Sequence, residues 1–130
     1  MQGRIDVHSH LLPGIDDGCK TALESIECAR MLVAAGYTTS FCTPHVWPNY
    51  PHINRDSIPM LTQQLQNSLN HEGIPLQLYP GGELNLHAKV TEMKDNELIP
   101  MAVADQYILA DMWAEKIPDW FDATIKWLQN

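Results

Sequence analysis

The sequence predicts an α/β fold in which parallel strands alternate with outer helices. Short runs of β-prone residues alternate with longer segments in which apolar residues recur at helical spacing. A histidine or an acidic residue follows each of the four predicted strands almost at once. In parallel α/β folds, and above all in barrels, functional side chains gather at the carboxyl ends of the strands. At 130 residues, the chain has the length of a single domain, residues 1–130.

The first predicted strand and helix flank a turn-rich loop. Arg4–Val7 forms the strand and runs into a His-Ser-His sequence, and Pro13–Gly18 forms the loop. Thr21 and Glu24 make a capping-box pattern that begins the helix, and Gly36 is placed to end it. The apolar stripe of this helix is assigned to Leu23, Ile26, Met31, Leu32 and Val33.

Three more strands and three more helices follow the first unit. The predicted strands are Thr38–Thr43, Leu76–Tyr79 and Tyr107–Ala110. The first of the predicted helices is capped by Asp56 or Ser57, has Leu61, Leu65 and Leu69 on one face, and ends at Gly73. The second is a short helix around His87–Lys94, and the third is an amphipathic helix at Asp119–Asn130. Between them, residues 46–56 form a loop rich in proline, asparagine and aromatic residues.

Composition excludes several classes of function. The net charge is −8 and the pI is about 5.0, so there is no basic surface to bind nucleic acid or an anionic membrane. No apolar run approaches the roughly 18 residues of a membrane span, and the N-terminus lacks the pattern of a secretory signal. Three scattered cysteines without a CxxC pair predict reduced thiols in a cytoplasmic protein.

Three histidines are candidate metal ligands. His8 and His10 are two residues apart on an extended segment, so their imidazoles project from the same face. Two imidazole nitrogens that converge in this way suit Zn²⁺, Mn²⁺ or Fe²⁺. His45 comes directly after the second strand and Pro44, which restricts its direction.

Three carboxylates complete the candidate set. Glu83 follows two glycines, which let the backbone pass close to a crowded centre. Asp111 follows an apolar strand, where an unpaired carboxylate would be costly and a metal would remove the cost. One of Asp16 and Asp17 is expected to be a ligand, while the other caps or stabilises the turn; residue type alone does not decide which. Asp6 shares the inward face with His8, and either orients a ligand or is simply a buried hydrogen-bonding group.

Three imidazoles and three carboxylates exceed the four ligands of a structural zinc site. They suit a centre of two or three metals, in which the ions activate water and hold both the attacking and the leaving oxygens. Such a centre favours phosphoester hydrolysis by in-line attack. The expected nucleophile is therefore water, and no side chain is assigned as general acid.

The segments MQGRIDVHSHLLPGIDDG, TTSFCTPH, YPGGE and YILAD closely resemble the polymerase-and-histidinol-phosphatase (PHP) superfamily. Within it, the sequence is most similar to the bacterial tyrosine-protein phosphatases of capsule and exopolysaccharide synthesis. The resemblance implies the N-terminal half of a distorted β/α barrel that holds two or three Mn²⁺-like ions. It also implies activity on phosphotyrosine in the tail of a bacterial tyrosine kinase. The ligands that it implies are His8, His10, Asp17, His45, Glu83 and Asp111.

The sequence departs from the family pattern in two ways. Relatives usually carry glutamate at the position of Asp111, and the shorter side chain leaves the metal at that position in question. Family members are also about twice as long, and they supply a further histidine, an Asp-x-His pair and phosphate-binding arginines after the point where this sequence stops. A chain that ends before the fifth barrel strand would expose its sheet edges, which favours self-association.

Two other functions remain open from the sequence. One is a PHP-type phosphoesterase that acts on a small phosphomonoester, and the other is an inactive metal-binding fragment. A cysteine-dependent phosphatase is excluded, because no cysteine is followed by an arginine six residues later. The aromatic loop at residues 47–50 either borders the substrate or simply packs. The remaining aromatic residues are assigned to the core or to the cover of an open edge: Trp113, Trp120, Phe121 and Trp127.

Overall fold

Two three-stranded parallel sheets and three α-helices form the described part of the chain, which comprises residues 3–94, 97–101 and 107–130 of the computed structural model. The strands are β1 (Arg4–Ser9), β2 (Tyr37–Cys42), β3 (His45–Val46), β4 (Gln77–Pro80), β5 (Glu83–Asn85) and β6 (Leu109–Asp111). The helices are α1 (Ala22–Ala34), α2 (Ser57–His71) and α3 (Phe121–Leu128). The predicted α/β class with parallel strands is confirmed.

The chain passes directly from a strand of one sheet into a strand of the other at two places. One sheet has the order β1-β2-β4 and the other β3-β5-β6, and every pairing is parallel. After β2 the chain crosses Thr43 and Pro44 into β3, and after β4 it crosses two glycines into β5. The second sheet therefore continues the first, and it starts where the sequence places the ligands.

The prediction of four strands was too low for this reason. His45 and Glu83 come shortly after β2 and β4, as predicted, but they also begin the short strands β3 and β5 and pair with each other in register. Asp111 is the last residue of β6, and His8 lies within β1, which extends past the predicted end at Val7. Strands of two or three residues are too short to show any periodicity in the sequence.

The buried face of α1 differs from the predicted stripe. Leu23 and Met31 are largely exposed, whereas Ser25 and Ala29 are fully buried. The Ser25 hydroxyl donates a hydrogen bond to the Leu11 carbonyl, so the helix lies against the backbone of the loop and needs small residues there. Ile26, Leu32 and Val33 pack against the core as predicted.

The caps of the first two helices are set by short polar side chains. The Thr21 hydroxyl accepts a hydrogen bond from the Glu24 amide at 3.2 Å, as the capping-box pattern predicts. At α2 the N-cap residue is Asp56, one of the two predicted, but its side chain makes no capping hydrogen bond. Instead the Asn54 carboxamide oxygen accepts hydrogen bonds from the amides of Asp56 and Ser57, each at 2.9 Å. Gly36 and Gly73 follow α1 and α2 with positive φ angles, as predicted.

The core lies between the helices and the sheets. Leu65 and Leu69 of α2 are buried, and Leu61 packs at the margin. The predicted helix at His87–Lys94 is a single 3₁₀ turn at Val90–Glu92, and α3 is shorter than predicted. Trp120, Phe121 and Trp127 pack against the core. Among the residues described, no helix is long and apolar enough to span a membrane.

Candidate metal centre

Glu83 lies at the centre of a cluster of imidazole nitrogens. Its Oε2 atom is 2.9 Å from Nε2 of His8 and 2.9 Å from Nε2 of His10. Nδ1 of His45 lies 3.6 Å from the same oxygen. β1 and the residue after it supply the first two histidines, and the register of β3 with β5 brings His45 beside Glu83. Three strands therefore deliver four ligand-type side chains to one point.

The two adjacent aspartates of the loop have different surroundings. The Asp16 side chain is 1% exposed, and its Oδ2 atom is 3.0 Å from Nδ1 of His10. The amides of Gly18 and His45 donate hydrogen bonds to its two oxygens. Asp17 is 62% exposed at its side chain and lies 2.9 Å from Nε2 of His45. Asp16 is thus a buried structural partner, whereas Asp17 faces the open cavity.

Asp16 sets the orientation of the His10 ring. The hydrogen bond that the His10 ring donates to the Asp16 carboxylate raises the pKa of His10, although partial burial opposes it. Burial alone would raise the pKa of Asp16, but hydrogen bonds from His10 and the loop amides hold it below its usual value. The Asp16 carboxylate thus faces Nδ1 of His10, and this contact holds the ring with Nε2 directed toward Glu83. This carboxylate–histidine pair is the usual arrangement behind a metal-bound imidazole.

Asp111 borders the same cavity at a greater separation. It lines a cavity of about 470 Å³ together with His8, His10, Asp17, His45 and Glu83. Within the described ranges, the ligand-type groups whose atoms lie within 4.8 Å of one another are His10 with Asp16, Asp17 and His45, and His8 with His10 and Glu83. Asp111 belongs to neither group. Its oxygens instead accept hydrogen bonds from Asn85 at 3.4 Å and from the indole of Trp113 at 2.6 Å.

Two other side chains were assigned from sequence with different outcomes. Asp6 contacts the backbone amide of His8 and the Ser40 hydroxyl, so it holds the strand and not the imidazole. Trp113 does not belong to the core, which was one of its two predicted roles, because it is 72% exposed and lines the cavity. Trp113 is two residues after Asp111 at the end of β6, and this period-2 spacing is the signal that could have placed it there.

The donor set fits divalent cations. In the neutral tautomer that hydrogen-bonds to Asp16 through Nδ1–H, Nε2 of His10 has a lone pair that faces the Glu83 oxygen at 2.9 Å. The Nε2 atom of His8 lies 3.3 Å from that of His10 and faces the same oxygen. Lone pairs crowded in this way repel one another unless a proton or a cation lies among them. Imidazole and carboxylate ligands together suit Mn²⁺, Fe²⁺ and Zn²⁺.

Fold and site together define an α/β protein with a cluster of histidine and carboxylate side chains at the carboxyl ends of parallel strands. The chain belongs to the capsular polysaccharide synthesis family CpsB/CapC, whose pattern it matches over residues 4–126. This membership confirms the resemblance that the sequence segments predicted.

Named relatives are similar across almost the whole chain. It is 33% identical over 118 residues to the tyrosine-protein phosphatase YwqE of Bacillus subtilis, and 25% identical over 114 residues to a putative tyrosine-protein phosphatase, CapC, of Staphylococcus aureus. Each alignment covers 88% of this chain and 45% of the relative. The chain therefore spans about half the length of the relatives that it matches.

A solved structure shows the same fold. It comes from work on YwqE from Bacillus subtilis and CpsB from Streptococcus pneumoniae, described there as unique metal-dependent tyrosine phosphatases. The match has a TM-score of 0.87 at 30% identity and covers 97% of this chain and 51% of the solved one. The arrangement of strands and helices described above is therefore that of half of such a phosphatase.

Proposed function

We propose that this chain carries the metal-ligating, N-terminal half of a PHP-type barrel phosphatase, as a single domain. The reaction is metal-dependent hydrolysis of phosphotyrosine on a bacterial tyrosine kinase that regulates capsular or exopolysaccharide synthesis, in the cytoplasm. The single observation that carries the proposal is the convergence of three imidazoles on Glu83, with Asp17 beside them. The names of the relatives supply the substrate class.

The proposed ligands are His8, His10, Asp17, His45, Glu83 and Asp111. They would hold two or three divalent ions, with Mn²⁺ expected and Fe²⁺ or Zn²⁺ chemically compatible. Bound ions of this kind supply the positive charge that activates water and neutralises a phosphate. Because an aspartate reaches less far than a glutamate, and because Asp111 stands apart from the tight groups, its site should be the weakest.

The residues of the chain perform the remaining tasks. Asp16 keeps His10 in one tautomer and one orientation, which preorganises the centre before a metal binds. The cavity is open to solvent, so that a phosphate projecting from a protein surface would have access to it. A tyrosine side chain has a pKa near 10, so as a leaving group it needs less protonation than an alcohol.

The experiment is a comparison of substrates with Mn²⁺ supplied. Hydrolysis of a phosphotyrosyl peptide should exceed that of small phosphomonoesters, should cease on chelation, and should be lost in His45→Ala. His71→Ala, an exposed histidine on α2, is the matched control and should retain activity. Exclusive turnover of a small ester would reject the tyrosine phosphatase function. Metal binding without any hydrolysis would instead favour an inactive metal-binding fragment.

Self-association is a second part of the proposal. β1 is an edge strand of its sheet, and Ile5 and Val7 on it are more than half exposed. An edge with unpaired backbone groups and exposed apolar side chains is a site for pairing with another chain. We expect this edge to be covered in solution at high protein concentration.

A further inference from the structure

Trp113 is an exposed aromatic residue that is nevertheless fixed in place. Although it is 72% exposed, its indole N–H donates a hydrogen bond of 2.6 Å to Asp111. Its ring stacks on Trp47, with the centroids 6.2 Å apart and the planes 27° from parallel. Asp111 contacts one edge of the indole and Trp47 contacts one face, so most of the indole is open to solvent. A large apolar surface that is both exposed and held rigid is the kind of surface that binds a ligand.

The position of Trp113 relates this surface to the proposed metal centre. Its indole lines the same cavity as the ligand-type side chains. Trp47 behind it contacts Tyr50 at a centroid distance of 5.9 Å, and Tyr50 stacks on the His45 ring at 5.8 Å with the planes 12° from parallel. A continuous row of aromatic rings thus runs from the rim of the cavity to a histidine of the cluster.

We propose that Trp113, supported by Trp47, binds the aromatic ring of the phosphorylated residue and so makes the site prefer aryl to alkyl phosphate esters. The proposal rests on the proposed function, because it assumes that the phosphate lies at the cluster. The hydrogen bond to Asp111 holds the indole beside a proposed ligand, so a ring stacked on it has its phosphate within the cavity. An alkyl phosphate would leave the indole face uncovered and gain nothing from it.

The size of the preference follows from the strength of aromatic pairing. Such pairs contribute enough beyond area burial for an affinity difference of about three- to tenfold. Trp113 is then a specificity residue that contacts substrate, and its loss should change the discrimination between substrates more than it changes metal binding.

The test measures binding, so that turnover is not required. The dissociation constants of benzylphosphonate and ethylphosphonate, which cannot be hydrolysed at the bridging carbon, are measured by calorimetry on the Mn²⁺-loaded chain. Trp113→Ala should lower the affinity for benzylphosphonate about three- to tenfold and change the affinity for ethylphosphonate by less than about twofold. Trp113→Phe retains a ring without the N–H donor and should retain most of the preference. Ile117→Ala, equally exposed but away from the cavity, is the control.

Three results would overturn the inference, and they are distinguishable. Equal affinities in Trp113→Ala and the wild type would show that the indole does not contact the ring. An equal loss for both phosphonates, with weaker Mn²⁺ binding in both Trp113 variants, would show that Trp113 acts only by positioning Asp111. Failure of the wild-type chain to bind either phosphonate would reject the proposed function itself, and the inference with it.

Discussion

Asp16 and Asp17 are neighbours in the sequence but contact different histidines. Asp16 is buried behind His10 and accepts hydrogen bonds from two backbone amides, whereas Asp17 is exposed beside His45. Residue type could not separate them, because either aspartate can occupy a turn. The difference arises from the fold of the loop, which is closed by a hydrogen bond from the Cys19 amide to the His10 carbonyl. At the scale of single residues, sequence patterns predicted which side chains meet but not which atoms face each other.

Removing the charge of Asp16 tests its orienting role. Asp16→Asn keeps the size of the side chain but replaces one acceptor oxygen with an amide, so it no longer holds the His10 tautomer. We expect Mn²⁺ affinity to fall about 10–100-fold, as for other partners of metal-bound histidines. Calorimetric titration measures this, with the exposed Asp122→Asn as control. Unchanged affinity in Asp16→Asn would mean that the pair with His10 has no part in metal binding.

Gly18 tests the packing of the same loop. A Cβ atom at this position would lie 2.3 Å from Cβ of His10 and 2.4 Å from its carbonyl oxygen. Because backbone cannot yield as a flexible side chain does, Gly18→Ala should lower the free energy of unfolding by about 1–3 kcal/mol. It should also weaken Mn²⁺ binding, since the loop carries both aspartates. Wild-type stability by urea unfolding would show that the loop can move without cost.

At the scale of elements, long periodic segments were predictable and very short ones were not. The helices α1 and α2 appear with their caps and terminal glycines close to the predicted limits. β3 and β5 were missed, because two or three residues carry no pattern and their extended form depends on pairing with each other. The stripe of α1 was assigned to large apolar residues, while close packing on the loop backbone required Ser25 and Ala29.

The cap of α1 gives a prediction at this scale. The Thr21 hydroxyl accepts a hydrogen bond from the Glu24 amide, and the Glu24 carboxylate accepts one from the Lys20 amide at 2.7 Å. Thr21→Ala should therefore lower the free energy of unfolding by about 1 kcal/mol, while Thr21→Ser, which retains the hydroxyl, should be close to wild type. Chemical denaturation measures both. Equal stability of the two variants would show that the hydroxyl does not contribute.

At the scale of the whole molecule, the fold class was predictable because the longer strands and helices show local sequence patterns and parallel pairing follows from their alternation. The grouping into two sheets was not, because it depends on where the chain crosses from one sheet to the next. In the described sheets, β1 lies at an edge.

The exposed edge gives a prediction about association. Ile5→Lys places a charge on the outer face of β1, where it should oppose pairing with a second chain. We expect the wild type to associate with rising concentration in sedimentation velocity, and Ile5→Lys to remain monomeric. Ile117→Lys, also exposed but outside both sheets, should associate as the wild type does. A wild-type chain that stays monomeric at every concentration would reject this use of the edge.

The most direct test of the metal centre is anomalous scattering from crystals of the chain grown with Mn²⁺. We expect two or three manganese peaks within the cavity, with the strongest bounded by His8, His10 and Glu83 and another beside Asp17 and His45. If the cavity contains no manganese, whether or not the ion binds elsewhere in the crystal, the assignment of these side chains as ligands is contradicted.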